Sequence, residues 1–283
     1  AGLHLPIQIA AEVWYCEGRD KIAANLTEVK PTLMTAVPRL YELLHDRITK
    51  GVEAKGGLSA NLFWMAVTLG RKKLLGQRLN MTETFLDKCL DVLVRKKVRQ
   101  RFGGRLAFFV SGGAALNPDI GSFFLSLGVN ILQGYGQTEA SPLISANRPG
   151  RIRIETVGPA VDGVEIKLAG DGELLARGAC LMKGYWRNQQ ATAETIIDGW
   201  LHTGDLAQID ADGFVTITGR KKEMIVNSGG ENIAPSRVEA EFIAQPEISQ
   251  IMVYGDGRPH LVALIVPTVE VRAKSNFDQK QKI

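Results

Sequence analysis

Six consecutive residues, Gly134-Tyr135-Gly136-Gln137-Thr138-Glu139, bring together several kinds of chemistry. The glycines let the backbone approach a ligand closely. Tyr135 offers a flat face for a base and Thr138 a hydroxyl for a phosphate. Glu139 is a carboxylate able to hold Mg2+, a hard cation that sits between one or two carboxylates and phosphate oxygens. The same residues also describe a tight turn with a solvated Glu139. Asp205, in Leu201-His-Thr-Gly-Asp-Leu206, follows a glycine and could accept both hydroxyls of a ribose, as acidic residues do in nucleotide sites. Its plainer reading is an Asx-turn residue. Arg220, in Thr218-Gly-Arg-Lys-Lys-Glu223, is either a phosphate or ribose donor or part of a solvated linker.

Several other chemistries are excluded. The chain has no Walker A sequence, no HExxH pair and no GxSxG elbow. Gly134-Tyr-Gly136 opens like a dinucleotide fingerprint but has Glu139 where the third glycine belongs, which argues against hydride transfer. His4, His45, His202 and His260 show no metal-ligand spacing. Cys16, Cys89 and Cys180 lie far apart without a CxxC pair, which points to a reducing compartment. A net charge of +4 over 283 residues is too weak to argue for nucleic acid, so none is expected as a partner. No apolar run approaches the roughly 20 residues of a membrane span, and no signal peptide opens the chain. The cytoplasm is therefore the expected location. Ala1, without a Met, reads as the start of a chain whose true N-terminus lies upstream.

The elements that must position these residues are legible from periodicity. Residues 1–150 alternate strand and helix. A strand over 32–37 ends at Pro38, and a helix follows with Leu40, Leu43, Leu44 and Ile48 on one face and Gly51 just past its end. Two more helices are predicted over about 59–70 and 84–101. Leu106 to Val110 is an apolar strand leading into Ser111-Gly112-Gly113-Ala114. Asn117 and Pro118 then form an N-cap and first-turn pair. Their helix turns Ile120, Phe123, Phe124 and Leu127 inward, and Gly128 stops it. A second strand, Val129 to Leu132, leads to the hexapeptide. This βαβ unit predicts parallel strands, with both glycine loops at their carboxyl ends, where open α/β sheets bind ligands. Residues 151–221 switch to hairpins, 164–168 with 173–177 and 206–210 with 214–218, predicting a small antiparallel sheet or barrel. From residue 222 to 283 a separate α+β unit is predicted, with a strand at 224–226, the Gly229-Gly230 loop, a helix opened by Pro235 and two strands. Its polar last 17 residues read as incomplete.

GYGQTE, followed by YWRNQQATAETIIDGWLHTGDLAQIDADGFVTITGRKKEMIVNSGGENIAP, resembles the adenylate-forming superfamily. TAVPRLYELL from Thr35, with the long helical stretch before Leu106, resembles its long-chain fatty acyl-CoA synthetase branch, and the likeness covers nearly the whole chain. The resemblance implies ATP, Mg2+ and coenzyme A, and a fatty acid as substrate. It implies that Gly112, Gly113 and Ala114 surround the adenine with Tyr135 stacked on it. Thr138 would contact the α-phosphate and Glu139 would hold Mg2+. Asp205 and Arg220 would hold the ribose hydroxyls. Lys222 would be the hinge of a mobile C-terminal domain, and Ser228, Gly229 and Gly230 would line the thiol tunnel. The family's phosphate loop and its C-terminal catalytic lysine do not occur here; Lys280 and Lys282, in QKQKI, do not match the latter. The chain thus reads as a partial one, expected to form little acyl-CoA alone. Its residues 1–150 and 151–221 would belong to the N-terminal domain and 222–283 would begin the C-terminal one.

Two other readings remain open from the sequence. One is an acyl-AMP ligase that loads a carrier protein, and the other a non-catalytic nucleotide- or acyl-binding module. A homodimer is compatible with either. Between Arg71 and Arg105 eleven basic residues face three acidic ones, Glu83, Asp87 and Asp91. This is a solvated helix face or a patch that meets the anionic inner membrane surface.

Overall fold

The apolar strand before Gly112 lies in the middle of a four-stranded sheet. In the computed structural model of the chain, residues 4–18, 20–243, 245 and 247–274 are described. Helices α1 (His4–Gln8) and α2 (Ile22–Val29) precede β1 (Leu33–Ala36). β2 (Phe108–Ser111) pairs in parallel with β1 and with β3 (Ile131–Gly136), and β4 (Leu143–Ala146) adds antiparallel to β3. The helices α3 (Pro38–Lys55), α4 (Gly57–Leu74), α5 (Met81–Leu90), α6 (Lys96–Arg101) and α7 (Pro118–Ser126) complete this unit. The predicted parallel βαβ unit is present. Asn117 caps α7 through its Oδ1, which accepts from the Asp119 and Ile120 amides, with Pro118 in the first turn. Phe123, Phe124 and Leu127 are buried as the pattern required. Phe124 meets Phe123, Tyr41 and Phe102 edge to face, and Phe109 meets Tyr41 and Phe102 in the same way, with Tyr41 and Phe109 centroids 5.4 Å apart. Such pairs add about 1 kcal/mol beyond the area they bury.

Three local expectations change. The helix after Pro38 runs through Gly51 and ends at Gly56, whose amide bonds to the Val52 carbonyl. A mid-helix glycine costs about 1 kcal/mol. The packing of Leu44, Ile48 and Val52 on the core outweighs it. The helix expected from Thr84 begins earlier, at an Asn80–Glu83 capping box in which each side chain accepts the other's amide. It also does not run on as one α-helix. A π turn, Asp91–Arg95, joins α5 to α6, closed by the Lys96 amide on the Asp91 carbonyl. Arg95 is buried there, donating to the Ser126 carbonyl at 2.8 Å, the Ala66 carbonyl at 2.9 Å and Asp87 Oδ1 at 2.6 Å.

Residues Ala1–Gly163 with Cys180–Met182 form one compact unit, and Val164–Ala179 with Lys183–Ile283 a second. In the second, β5 (Val164–Leu168) and β6 (Glu173–Gly178) form the first predicted hairpin. After α8 (Gln189–Thr195) and β7 (Ile196–Ile197) come β8 (Trp200–Ile209) and β9 (Val215–Arg220), the second hairpin. All neighbours in this five-stranded sheet are antiparallel, in the order β5-β6-β8-β7 with β9 on β8. β10 (Ile225–Val226) and β11 (Asn232–Ile233) form a short ribbon before α9 (Pro235–Ile243). β12 (Ile248–Tyr254) and β13 (Val262–Pro267) form another hairpin, and α10 (Val269–Lys274) follows. Lys280 and Lys282 lie outside the described residues.

Candidate functional site

In the first unit the parallel register sets Ser111 against Gln133, so Gly112 and Gly134, which follow these residues, lie side by side toward the carboxyl ends of β2 and β3. Gly112 lies 3.5 Å, measured from where a Cβ would stand, from the Gly134 carbonyl. The structure therefore brings Gly112 against Gly134 toward the carboxyl ends of adjacent parallel strands, with Gly113 and Ala114 following Gly112 in the chain and Tyr135 following Gly134. The buried side chain of Gln133 pins this edge. Its Oε1 accepts from the Leu116 amide at 3.3 Å and its Nε2 donates to the Ile154 carbonyl.

The hexapeptide is not a glycine loop throughout. Gly134, Tyr135 and Gly136 are the last residues of β3 and pair with Ala146, Ser145 and Leu143 of β4. A Cβ on Gly136 would stand 1.7 Å from the Pro142 carbonyl oxygen. This glycine admits the chain's own backbone, and a ligand is not what requires it. Beyond β3, Thr138 and Glu139 lie in a 3-10 turn over Thr138–Ala140, with Thr138 exposed and Glu139 half-buried. The Glu139 carbonyl accepts from the Met182 amide at 2.8 Å, which fixes the turn. Sequence reasoning passed over Gln137. Its Nε2 is buried and has no hydrogen-bond partner among the described residues. An unsatisfied buried donor costs about 1–3 kcal/mol, a cost that an acceptor on a ligand would remove.

In the second unit the β8–β9 register sets Asp205 directly against Arg220. Arg220 Nε lies 3.3 Å from Asp205 Oδ1; the aspartate is buried and the arginine exposed. The turn before Asp205 is built by hydrogen bonds. Thr203 Oγ1 donates to the Leu174 carbonyl at 2.6 Å and accepts from the Asp205 amide at 3.1 Å. The Gly204 amide donates to Glu173 Oε1 at 2.8 Å. Glu173 is buried, and its other oxygen receives His202 Nδ1 and Lys221 Nζ, each at 3.2 Å. Burial pushes this carboxyl up, but the Gly204 amide, His202 and Lys221 outweigh it and hold it below the usual range. Lys221 also bonds Asp171 in the β5–β6 turn. Glu173 and Lys221 are thus supporting residues that sequence reasoning missed. Lys222 is exposed in the 3-10 turn Lys221–Glu223. Ser228, Gly229 and Gly230 form the exposed turn between β10 and β11, shaped by Asn227, whose Oδ1 accepts from the Gly229 amide at 3.0 Å and the Glu231 amide at 2.9 Å.

No group of three His, Cys, Asp or Glu side chains is arranged to hold a metal ion among the described residues. Glu139, half-buried in its turn, is a lone carboxylate of the kind that holds Mg2+ together with phosphate oxygens.

Residues 1–186 match the AMP-binding enzyme family, and residues 222–283 match the AMP-binding enzyme C-terminal domain. The chain belongs to the AMP-binding enzyme family, as the motifs implied. Within that family it is similar to long-chain-fatty-acid–CoA ligases. It is 39% identical over 260 residues to the long-chain-fatty-acid–CoA ligase FadD15 of Mycobacterium bovis, covering 90% of this chain and 42% of that protein. Against long chain acyl-CoA synthetase 1 of Arabidopsis thaliana it is 33% identical over 278 residues, covering 92% and 42%. The chain therefore spans less than half the length of these relatives. Among solved structures, the anthranilate CoA ligase AuaEII in complex with anthranoyl-AMP shares the fold with a TM-score of 0.64. It is 23% identical, covering 99% of this chain and 49% of that one. The o-succinylbenzoate CoA synthetase MenE of Bacillus subtilis, in complex with an acyl-adenylate, also has a TM-score of 0.64, at 20% identity over 94% of this chain and 48% of that one.

Proposed function

We propose that the protein containing this chain activates a long-chain fatty acid with ATP and transfers the acyl group to coenzyme A. In the first step a carboxylate oxygen of the fatty acid attacks the α-phosphorus of ATP, and the bond to pyrophosphate breaks. In the second the thiolate sulfur of CoA attacks the acyl carbon, and AMP leaves. Gly112, Gly113 and Ala114 border the adenine, Tyr135 stacks on it, and Thr138 donates to the α-phosphate. Asp205 accepts from the ribose hydroxyls and Arg220 donates to them. Glu139 holds Mg2+, which neutralises charge on the phosphates. Lys222 is the hinge between the two half-reactions, and Ser228, Gly229 and Gly230 border the thiol path. The match to the C-terminal domain begins at residue 222, which supports a mobile domain starting there.

One observation carries this reading. Gly112–Ala114 follow β2, and Tyr135–Glu139 end and follow β3, at the carboxyl ends of adjacent parallel strands, in a chain 39% identical to a long-chain-fatty-acid–CoA ligase. The test is palmitate-dependent exchange of pyrophosphate into ATP, followed by thioester formation with CoA. Absence of exchange in the protein containing this chain would falsify the proposal. Exchange without a CoA thioester would assign the acyl group to a carrier protein instead. That outcome has a structural neighbour, the adenylation–carrier didomain of the carboxylic acid reductase of Segniliparus rugosus, at 25% identity.

The same proposal includes a cytoplasmic location with peripheral contact at the inner membrane surface. No helix among the described residues is long and apolar enough to cross a membrane. Leu75, Met81 and Phe85 are exposed, as are Arg78 and Lys88, so both apolar and basic side chains are presented to solvent around the start of α5. Sedimentation with anionic vesicles at low salt, lost with neutral vesicles and in Phe85→Ser, is the expected result.

A further inference from the structure

The helical side of the first unit holds a groove that the proposed reaction does not use. Its volume is about 290 Å³, just under the roughly 300–1,000 Å³ of small-molecule sites. Its walls come from α2, α3, α4, the π turn and α6. The floor is apolar, with Leu26, Leu44, Ile48, Val52, Val98 and Phe102. The rim is basic: Arg47 and Lys55 on α3, Lys97 and Arg101 on α6. No Asp or Glu lines it.

Helical spacing produces this division. On α3, Leu44, Ile48 and Val52 recur every fourth residue, and Arg47, Gly51 and Lys55 form a second stripe at the same spacing. Across the groove, Val94, Val98 and Phe102 repeat the apolar stripe, with Lys97 and Arg101 beside it. Lys97 and Arg101 stand four apart, a spacing at which like charges on a helix repel. The three acidic residues of this region are engaged elsewhere: Glu83 with Lys72, Asp87 with Lys73 and Arg95, Asp91 with Arg99. None of the four rim cations has an ion-pair partner among the described residues. Gly51 lies between Arg47 and Lys55 on the groove wall, and an added Cβ there would meet nothing within 4 Å. A larger residue would be a better helix former, yet it would enter the groove.

The groove is far from the glycine motifs. Arg101 and Phe102 come just before β2 and Gly112 just after it, so the two features belong to opposite ends of the parallel strands. Gly51 lies 13 residues after Pro38 on α3, about 20 Å along the helix axis.

We propose that this groove is a second ligand site, for a single-chain amphiphile with an anionic head. The chain lies along Leu44, Ile48, Val52 and Val98, and the head lies among Arg47, Lys55, Lys97 and Arg101. A long-chain carboxylate and an acyl thioester with a phosphate-bearing head share this chemistry. The proposal does not rest on the proposed reaction.

Displacement of a fluorescent polyene fatty acid from the 283-residue protein, without ATP or CoA, tests it. Palmitate displaces the probe, while methyl palmitate and hexadecyltrimethylammonium do not. Gly51→Leu weakens palmitate binding by about tenfold or more, roughly 1.4 kcal/mol, with a melting temperature equal to the parent's or higher. Lys97→Glu combined with Arg101→Glu, both at exposed positions, weakens it by about the same factor. Palmitoyl-CoA serves as the second arm: displacement tighter than that by palmitate names the thioester, and weaker displacement names the free acid. A palmitate affinity that neither variant changes overturns the groove and leaves the proposed reaction untouched. Equal binding of methyl palmitate overturns it too. So does binding to anionic vesicles alone, which would give the cations to a membrane surface.

Discussion

Around Gly112 and Tyr135 the chain is positioned by close packing of backbone and rings, whereas around Asp205 it is positioned by buried charge. In the first region, strand β4 runs so close to β3 that no side chain fits at Gly136, and the aromatic cluster of Tyr41, Phe109 and Phe124 lies on the same sheet. In the second, one buried carboxylate, Glu173, gathers an amide, an imidazole and an ammonium group and so fixes the turn that presents Asp205. Packing resists change of volume and is indifferent to pH. A carboxylate hub tolerates neighbours of altered size but depends on its own ionisation.

The largest expected effect breaks the packed side. Gly136→Ala drives a Cβ into the Pro142 carbonyl, which cannot rotate away, and should cost about 3 kcal/mol or more. Urea unfolding followed through the first unit measures it, and a midpoint equal to the parent's would contradict the packing account. Asp205→Ala comes next. In the proposed function it removes an acceptor for two ribose hydroxyls, each worth on the order of 1 kcal/mol, so the Michaelis constant for ATP should rise about tenfold or more. An unchanged constant would take Asp205 out of the site.

Glu173→Gln sharpens the charged side. It should destabilise the second unit by about 1–2 kcal/mol at neutral pH, after discounting for the partly exposed Lys221. The folded-state pKa of Glu173 is lowered from 4.5, so the unfolded chain takes up the proton first as pH falls. The contribution of Glu173 is complete above its unfolded-state value and is lost as pH drops through the lowered folded-state value. The stability gap between parent and Glu173→Gln should therefore close in acid. A gap that stayed constant from neutral pH to below 4 would refute the ionised hub. The smallest structural effect is expected for Lys222→Pro. Lys222 lies in a 3-10 turn, a conformation whose typical φ is near the value that proline imposes, so the folded arrangement is expected to be retained. Adenylate formation should survive while thioester formation falls by a larger factor, because rotation needs that angle to change. Equal loss in both half-reactions would count against a hinge.

The sequence was most legible where the determinants are local. Asn117 and Pro118 announce their helix through a cap that spans three residues. The turns at 169–172 and 211–213 announce their hairpins in the same way. Asp205 and Arg220 were both singled out, but their mutual pairing was not, because it depends on a β8–β9 register that one bulge can shift. Glu173 looked like an ordinary strand residue; only the fold places it under Gly204, 31 positions away. Gly136 was read as room for a ligand when it is room for Pro142, since nothing local distinguishes the two. Gly51 was read as a stop signal because glycines usually end helices, and the packed stripe beside it overrode that preference.

The π turn between α5 and α6 has a consequence for phase. From Leu86 to Phe102 the core-facing residues recur every fourth position, as Leu86, Leu90, Val94, Val98 and Phe102. At 3.6 residues per turn each step of four overshoots by roughly 40°, so four steps would carry the stripe through roughly 160° and out into solvent. A π turn absorbs one residue, about 100° of that rotation. It works like the leap day of a calendar: the period of the sequence and the period of the helix disagree, and a single intercalated unit restores their alignment. A sequence with strict fourfold spacing over this length thus carries its own requirement for one irregular turn, and here that turn also swings Arg95 beneath Ser126.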